Sequence, residues 1–128
     1  MQYLLDTCIL IDLLRNRKKT IDFVKSLNTA SCFVSEITIA ELYVGAEKSD
    51  REKAFEEVDS LLDFFGIVRI GSAIRMYAKE RIRLERAGTR IDDFDLLIGV
   101  SAVTEGMTMV TNNRKHFERI SGIEILSV

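Results

Sequence analysis

The sequence has no proline, a single histidine (His116) and only two cysteines (Cys8 and Cys32) among its 128 residues. Without proline no rigid, extended linker marks a domain boundary, so we expect one domain over residues 1–128. A lone histidine excludes a histidine-rich zinc site, and two cysteines so far apart do not form a metal-binding motif. Both cysteines lie in apolar runs, which favours buried, free thiols in a reducing compartment.

Long apolar runs and nucleotide-binding loops are also missing. The longest uncharged run extends only from Ser26 to Ser35, whereas a membrane helix needs about 20 apolar residues. The first residues do not form a signal peptide, so we expect a cytoplasmic protein that does not bind membranes. Neither a Gly-x-x-x-x-Gly-Lys-Ser/Thr loop nor a Gly-x-Ser-x-Gly elbow is present, which argues against a phosphate-cradling loop and a serine nucleophile. Carboxylate chemistry remains.

Short apolar runs alternate along the chain with segments of helical periodicity. We predict strands at about 2–5, 31–34, 67–70, 108–110 and 123–126. Helices are predicted at about 8–14, 20–27, 35–47, 50–65, 72–87, 92–105 and 113–117. This alternation is typical of an α/β fold with a mostly parallel sheet flanked by helices. Right-handed crossovers then place the carboxyl ends of the strands at one edge of the sheet.

Three acidic residues interrupt apolar runs that otherwise look like core. Asp6 follows the first predicted strand, Glu41 lies within the apolar run 37–44, and Asp95 precedes the run 96–100. Carboxylates brought together at a low-dielectric sheet edge repel one another, so they either take up protons or hold a cation. Oxygen ligands select Mg²⁺ or Mn²⁺ over zinc or copper. If the three acids meet, they favour hydrolysis of a phosphodiester by a metal-activated water.

Each acid also fits the start of a helix. Asp6 is placed to cap the first helix, Thr38 and Glu41 have the spacing of a capping box, and Asp92 precedes a helix whose third position is Asp95. Capping and metal binding are compatible, because helices that begin at the carboxyl edge point into the crevice. Glu41 favours the metal interpretation most, since its neighbours are apolar and a capping glutamate belongs at the surface.

Four segments carry a family resemblance. They are residues 3–11 (YLLDTCILI), 35–42 (SEITIAEL), 91–99 (IDDFDLLIG) and 110–113 (VTNN), the last followed by His116 and Phe117. In this order and spacing they resemble a PIN domain, and within that family the toxin ribonucleases of VapBC-type toxin–antitoxin pairs. The resemblance implies a three-layer PIN-like fold with a five-stranded parallel sheet and an endoribonuclease that depends on Mg²⁺ or Mn²⁺. It also implies a homodimer and a cognate small antitoxin protein.

The resemblance assigns the acidic, metal-binding and catalytic core to Asp6, Glu41 and Asp95. Asn113 falls where many PIN nucleases carry a fourth aspartate, so one charge is missing, and Asp92 is a further candidate ligand. Hydrogen bonds that support the site are expected from four residues: Thr7, Thr111, Asn112 and Asn113.

RNA binding also needs cationic contacts, and a net charge of −2 gives no general sign of them. Residues 47–63 hold seven acids and three bases, so the rest of the chain has a small positive excess. The predicted helix at 72–87 carries basic residues three or four positions apart, which share one face. A solvated face explains them as well as phosphate contact does; the candidates are Arg75, Lys79, Arg83 and Arg86. His116 is expected at the surface or at a helix end.

Two other functions stay open at this stage. One is a catalytically degraded PIN-like scaffold that binds RNA or protein, its site weakened at Asn113. The other is a phosphoacceptor receiver domain, which needs an aspartate at the end of its central strand. The predicted strands at 31–34 and 67–70 end without one, which argues against a receiver domain.

Overall fold

The computed structural model describes all 128 residues and contains five strands and seven helices. The strands are β1 (Tyr3–Leu5), β2 (Cys32–Ser35), β3 (Gly66–Val68), β4 (Thr108–Val110) and β5 (Ile125–Leu126). The helices are α1 (Thr7–Leu14), α2 (Lys18–Ser26), α3 (Glu36–Ser49), α4 (Ala54–Leu62), α5 (Ile74–Arg86), α6 (Asp93–Thr104) and α7 (Arg114–Phe117). No helix has the length and apolar character that crossing a membrane requires.

The five strands form one sheet in the order β3-β2-β1-β4-β5, and every neighbouring pair is parallel. From the central strand β1 the chain proceeds outward through β2 and β3, then crosses back to β4 and β5. The order therefore reverses between β1 and β4, and ligands of open α/β sheets bind outside the strand ends at such a point. Beyond β1 the backbone N–H of Asp6 donates to the carbonyl of Val110 at 2.9 Å. The residues that follow β1 and β4 are thus held side by side.

Alternate strand residues point to opposite faces of the sheet and build two separate cores. Leu4 and Met109 are fully buried in the core beneath α5, α6 and α7. Their neighbours Leu5 and Val110 are fully buried in the other core, beneath α1, α3 and α4. Helices therefore cover both faces, which confirms the predicted three-layer α/β architecture and explains why the strands read as continuous apolar runs.

One helix and one strand begin and end elsewhere than predicted. The helix expected over 50–65 spans only Ala54–Leu62, because Asp50 takes a left-handed backbone conformation (φ 55°) that ends α3. Gly66, which follows the predicted end of that helix at residue 65, opens β3 and pairs with Phe33 of β2. A Cβ atom at residue 66 would overlap the ring of Phe33. Close packing across the two strands therefore requires glycine here.

A buried carboxylate ties α5 to the segment after α7. Glu80 is 2% exposed and accepts hydrogen bonds from the Arg83 guanidinium at 2.8 and 2.9 Å and from the Ser121 backbone N–H at 2.6 Å. Arg83 also donates to the carbonyl of Arg119 at 2.6 Å. The hydrogen bonds from Arg83 are the main reason why the pKa of Glu80 falls from 4.5 to about 2. The ionised side chain therefore stabilises the fold.

We expect Glu80→Gln to lower the free energy of unfolding by about 2 kcal/mol at pH 7, because the variant loses a charge-assisted pair. A lowered pKa means that the stabilisation is present above about pH 4.5 and is lost as the pH falls towards 2. Urea unfolding of both proteins between pH 7 and pH 3 measures this, and the difference should shrink with falling pH. Glu85→Gln, at an exposed position of the same helix, is the control. An equal loss in both variants would contradict the assignment.

Candidate active site

Asp6 is buried at the carboxyl edge of the sheet, and both of its oxygens accept hydrogen bonds. One oxygen accepts the backbone N–H of Thr7 at 2.8 Å and so caps α1, as predicted. The other accepts the hydroxyl of Thr111 at 2.7 Å and the thiol of Cys8 at 3.4 Å. A carboxylate that follows β1 is thus fixed by a hydroxyl that follows β4.

Glu41 reaches the site from the second turn of α3. Ser35 caps that helix by accepting the N–H of Ile37 at 3.1 Å, so Thr38 and Glu41 do not form the capping box that their spacing allows. Thr38 instead lies within α3 and is fully buried, and its Oγ1 is 2.9 Å from Oγ1 of Thr7. The Thr7 hydroxyl in turn donates to Glu41 Oε1 at 2.7 Å. Because Thr7 has only one hydroxyl proton, Thr38 is the donor to Thr7. A relay of two hydroxyls therefore orients Glu41.

Asp95 lies in the first turn of α6, where Asp92 caps the helix as predicted by accepting a backbone N–H at 3.1 Å. The pKa of Asp95 is raised from 3.8 to about 6, first by burial and then by the negative charges of Asp6, Asp92 and Glu41, while His116 acts in the opposite direction. No lysine or arginine contributes to this shift. Asp6, Glu41 and Asp92 are thus near enough to Asp95 to act on it electrostatically, and His116 is the only basic group that does so.

The chemistry of these donors suits a hard cation, although the side chains do not form a finished metal site. As they stand, no three His, Cys, Asp or Glu side chains are grouped so that they hold a metal ion. The donors are nevertheless carboxylate oxygens, and their charge is strong enough to hinder the ionisation of Asp95. Such a set fits Mg²⁺ or Mn²⁺ better than zinc. Asp6, Glu41 and Asp95 fit this role, with Asp92 more exposed beside them.

The segment after β4 contributes unequally to the site. Thr111 is fully buried; its hydroxyl donates to Asp6 and accepts the backbone N–H of Asn113 at 2.9 Å. Asn112 is exposed, and its side-chain oxygen accepts the N–H of Val128 at 3.2 Å. Thr7, Thr111 and Asn113 therefore lie at the site, whereas the side chain of Asn112 holds the last residue of the chain.

Two further side chains belong to the site and were not predicted to do so: Cys8 donates to Asp6, and Thr38 contacts Thr7. Thr38 was interpreted as a helix cap, and Cys8 as a buried thiol without a role, like Cys32. Cys32 is indeed buried, but Cys8 is partly exposed beside Asp6, and burial raises the pKa of its thiol to about 11. The thiol is therefore a neutral hydrogen-bond donor. Thr38 stands one helical turn before Glu41, a spacing that places both on one face of α3.

The basic residues of α5 are not gathered around the carboxylates. This helix packs on α6 through Tyr77, whose hydroxyl donates to Asp93 at 3.0 Å. With 100° of rotation per residue, three of the predicted phosphate contacts lie on the opposite, exposed side of α5. They are Arg75, Lys79 and Arg86. Arg83, the fourth, is bound to Glu80.

The strand order and the acidic residues between β1 and β4 accompany a match to a known protein family. The PIN domain family matches residues 3–123, so the chain is a PIN-domain protein. This match and the strand order exclude the receiver domain.

Similarity to individual proteins is more specific. The chain is 32% identical over 127 residues to a protein from Salmonella typhimurium named tRNA(fMet)-specific endonuclease VapC, covering 98% of this chain and 96% of that protein. It superposes on DNA-bound VapBC from Salmonella typhimurium with a TM-score of 0.91, at 32% identity and 99% and 98% coverage. VapBC2 from Rickettsia felis, bound to a promoter DNA fragment, gives a TM-score of 0.92 at 30% identity and 100% and 99% coverage. Within the PIN-domain family the chain belongs to the VapC ribonucleases.

We expect Asp95→Asn to stabilise the metal-free protein by about 2 kcal/mol at pH 8. Because the pKa of Asp95 is raised in the folded state, the folded protein loses stability as the pH rises from 3.8 to about 6, where the unfolded chain releases this proton more readily. The variant removes the charge, so its advantage should shrink as the pH falls towards 4. Thermal unfolding in EDTA measures the effect.

Asp63→Asn, which removes an exposed carboxylate at the end of α4, is the control for this experiment and should change stability little at either pH. If Asp95→Asn gives no stabilisation at pH 8, or the same stabilisation at pH 4, Asp95 does not bear the charge repulsion described above.

Proposed function

We propose that this chain is the endoribonuclease toxin of a toxin–antitoxin pair and hydrolyses RNA phosphodiester bonds at the site of Asp6, Glu41 and Asp95. The observation that carries the proposal is the pKa of Asp95 at the sheet edge, which burial raises most and which the negative charges of Asp6, Asp92 and Glu41 also raise. Relatives named endonuclease and ribonuclease VapC support RNA as the substrate. Carboxylates at a strand reversal point are also where a ligand of an α/β sheet is expected to bind.

The cofactor in this proposal is Mg²⁺ or Mn²⁺. Asp6, Glu41 and Asp95 would hold the ion, and Asp92 is the further candidate. When bound, such an ion stabilises charge that develops on a phosphodiester and makes water a better nucleophile. Neighbouring carboxylates repel one another electrostatically, and a bound divalent cation would offset this repulsion.

The chain itself prepares the oxygens before any ligand arrives. Thr111 and the first N–H of α1 fix Asp6, while Thr38 acts through Thr7 on Glu41. All of these donors are neutral, so they orient the carboxylates without neutralising them. Oxygens held in this way orient the attacking water by accepting its hydrogen bonds, which lowers the entropic cost of the reaction.

A degraded, RNA-binding scaffold is the second candidate function. It is favoured by Asn113, which stands where many PIN nucleases carry an aspartate, and by the lack of a preformed three-ligand group. A scaffold would bind RNA and leave it intact.

An antitoxin is the first protein partner in the proposal, because the two structures compared above are VapBC complexes. A groove of about 290 Å³ between α1, α3 and α4 is lined by Ile11, Leu14, Leu42 and Val58, and Glu41 also lines it. A segment seated in this groove would contact an acid of the site. Binding and inhibition would then be one event.

A second copy of the chain is the other partner. Three large apolar side chains of α5 and the start of α6 are exposed: Ile74 at 52%, Ile82 at 44% and Phe94 at 48%. Water contact with large apolar side chains is unfavourable, and such groups mark interaction surfaces. We propose that this face forms the homodimer interface.

Asp6→Asn should reduce RNA cleavage on the order of 100-fold or more, because it removes a carboxylate ligand. The wild-type protein should cleave RNA with Mg²⁺ and not in EDTA; the RNA panel includes tRNA(fMet), the substrate in the name of the Salmonella relative. The melting temperature should change by less than about 3 °C, since asparagine also caps helices.

Asp22→Asn, on the exposed side of α2, is the matched control and should cleave like the wild type. Full activity of Asp6→Asn would refute the mechanism. A wild-type protein that binds RNA but cleaves none of the panel with Mg²⁺ or Mn²⁺ would favour the scaffold.

Ile82→Arg should shift the chain from dimer to monomer, because a charged side chain opposes burial of the α5 face. Light scattering coupled to size exclusion measures the mass. Ile67→Arg, at a 59% exposed position of the edge strand β3, is the control and should leave the mass unchanged. A wild-type monomer at high concentration, or a dimer that survives Ile82→Arg, would contradict the proposed interface.

A further inference from the structure

One group beside the acids has no part in the mechanism above. The Nδ1 atom of His116 lies 2.9 Å from the side-chain nitrogen of Asn113 and 3.9 Å from Oδ2 of Asp95. Asn113 is itself held by its backbone N–H, which donates to Thr111 Oγ1 at 2.9 Å. The histidine ring is therefore attached to the rim of the acidic crevice.

The orientation of the Asn113 amide determines which ring nitrogen of His116 carries the proton, because Oδ2 of Asp95 at 3.9 Å is beyond hydrogen-bond distance of Nδ1. The NH₂ group of Asn113 is a donor only, so Nδ1 of a neutral imidazole must accept from it. The proton then resides on Nε2, which makes no hydrogen bond within the chain, and the side chain is 47% exposed. An imidazolium also carries a proton on Nε2. This atom is thus a free donor in either charge state.

An aspartate at position 113 would act in the opposite way. A carboxylate only accepts hydrogen bonds, so it would hold the proton on Nδ1 and leave a lone pair on Nε2. Asparagine is therefore more than a missing ligand, because it makes the exposed nitrogen of His116 a donor. A crevice rich in carboxylates repels phosphate, and a neutral donor at its rim offsets part of that repulsion.

We propose that His116 is a further catalytic residue, which donates a hydrogen bond from Nε2 to a non-bridging phosphate oxygen of the RNA, and that Asn113 is the positioning residue that sets its tautomer. The proposal rests on the proposed function for the identity of the substrate. The tautomer itself does not depend on that function.

The tautomer is measured by ¹⁵N NMR of the histidine ring. The chain has only one histidine, so the two ring signals need no assignment by mutation. At pH 8.5, where an ordinary imidazole is neutral, we expect Nε2 to be protonated in the wild type and Nδ1 to be protonated in Asn113→Asp. A wild-type ring with the proton on Nδ1, or a tautomer that Asn113→Asp leaves unchanged, overturns the proposal.

The phosphate contact is tested with two substitutions of similar size. His116→Gln keeps an N–H donor near the position of Nε2, whereas His116→Asn places its amide near the position of Nδ1 and loses that donor. We expect His116→Gln to cleave RNA within about threefold of the wild type, and His116→Asn to be weaker on the order of 10- to 100-fold, the usual cost of a lost hydrogen bond to a charged group. Glu118→Gln, at the exposed end of α7, is the control.

The same pair is then compared for RNA binding in the Asp6→Asn background, where the site is intact except for one carboxylate. Tighter RNA binding by His116→Gln than by His116→Asn, as for cleavage, supports the proposal. Equal behaviour of the Gln and Asn variants in both assays overturns it. If no protein cleaves RNA but the binding difference persists, the nuclease proposal fails and the contact of His116 with phosphate stands.

Discussion

The hydrogen bond from Thr111 to Asp6 is the contact on which the site depends. It joins the residues that follow β1 and β4, the two strands between which the sheet order reverses, and it is buried from water. A parallel pair holds its strand ends at a fixed spacing, so the backbone bond from Asp6 to Val110 and this side-chain bond reinforce each other. Because Asp6 also caps α1, one carboxylate couples a strand, a helix and the crevice.

Two acids of the chain, the buried Glu80 and the partly buried Asp95, have pKa values shifted in opposite directions. Glu80 is paired with Arg83, and its pKa is lowered to about 2. Asp95 has no lysine or arginine partner, and burial together with the charges of Asp6, Asp92 and Glu41 raises its pKa to about 6. The first arrangement stabilises the folded state at neutral pH, and the second destabilises it. An acid such as Asp95 that lowers the stability of the folded state at neutral pH is a candidate functional residue, because strongly perturbed acids in clefts cluster at functional sites.

The sequence predicted the architecture, and it was ambiguous where a pattern had two local meanings. Asp6 and Asp95 were identifiable because a charge that breaks a buried run needs a reason. The role of Thr38 was ambiguous because the spacing of a capping box is also the spacing of one helical turn, and only the cap at Ser35 decides between the two roles. Asn112 and Asn113 are equivalent in sequence, but Asn112 turns to the chain end and Asn113 to His116. Tertiary contacts, which no local pattern contains, made that difference.

The donors around the acids explain why the crevice keeps its charge. Thr7, Thr111 and Cys8 satisfy oxygen lone pairs of Asp6 and Glu41 without adding positive charge. An arginine in their place would pair with a carboxylate and lower its affinity for any cation, as Arg83 does for Glu80. Neutral donors therefore hold the carboxylates in place without neutralising them, whereas the Arg83 guanidinium both holds and neutralises Glu80. A site built in this way has its carboxylates held in place by neutral donors and retains their negative charge.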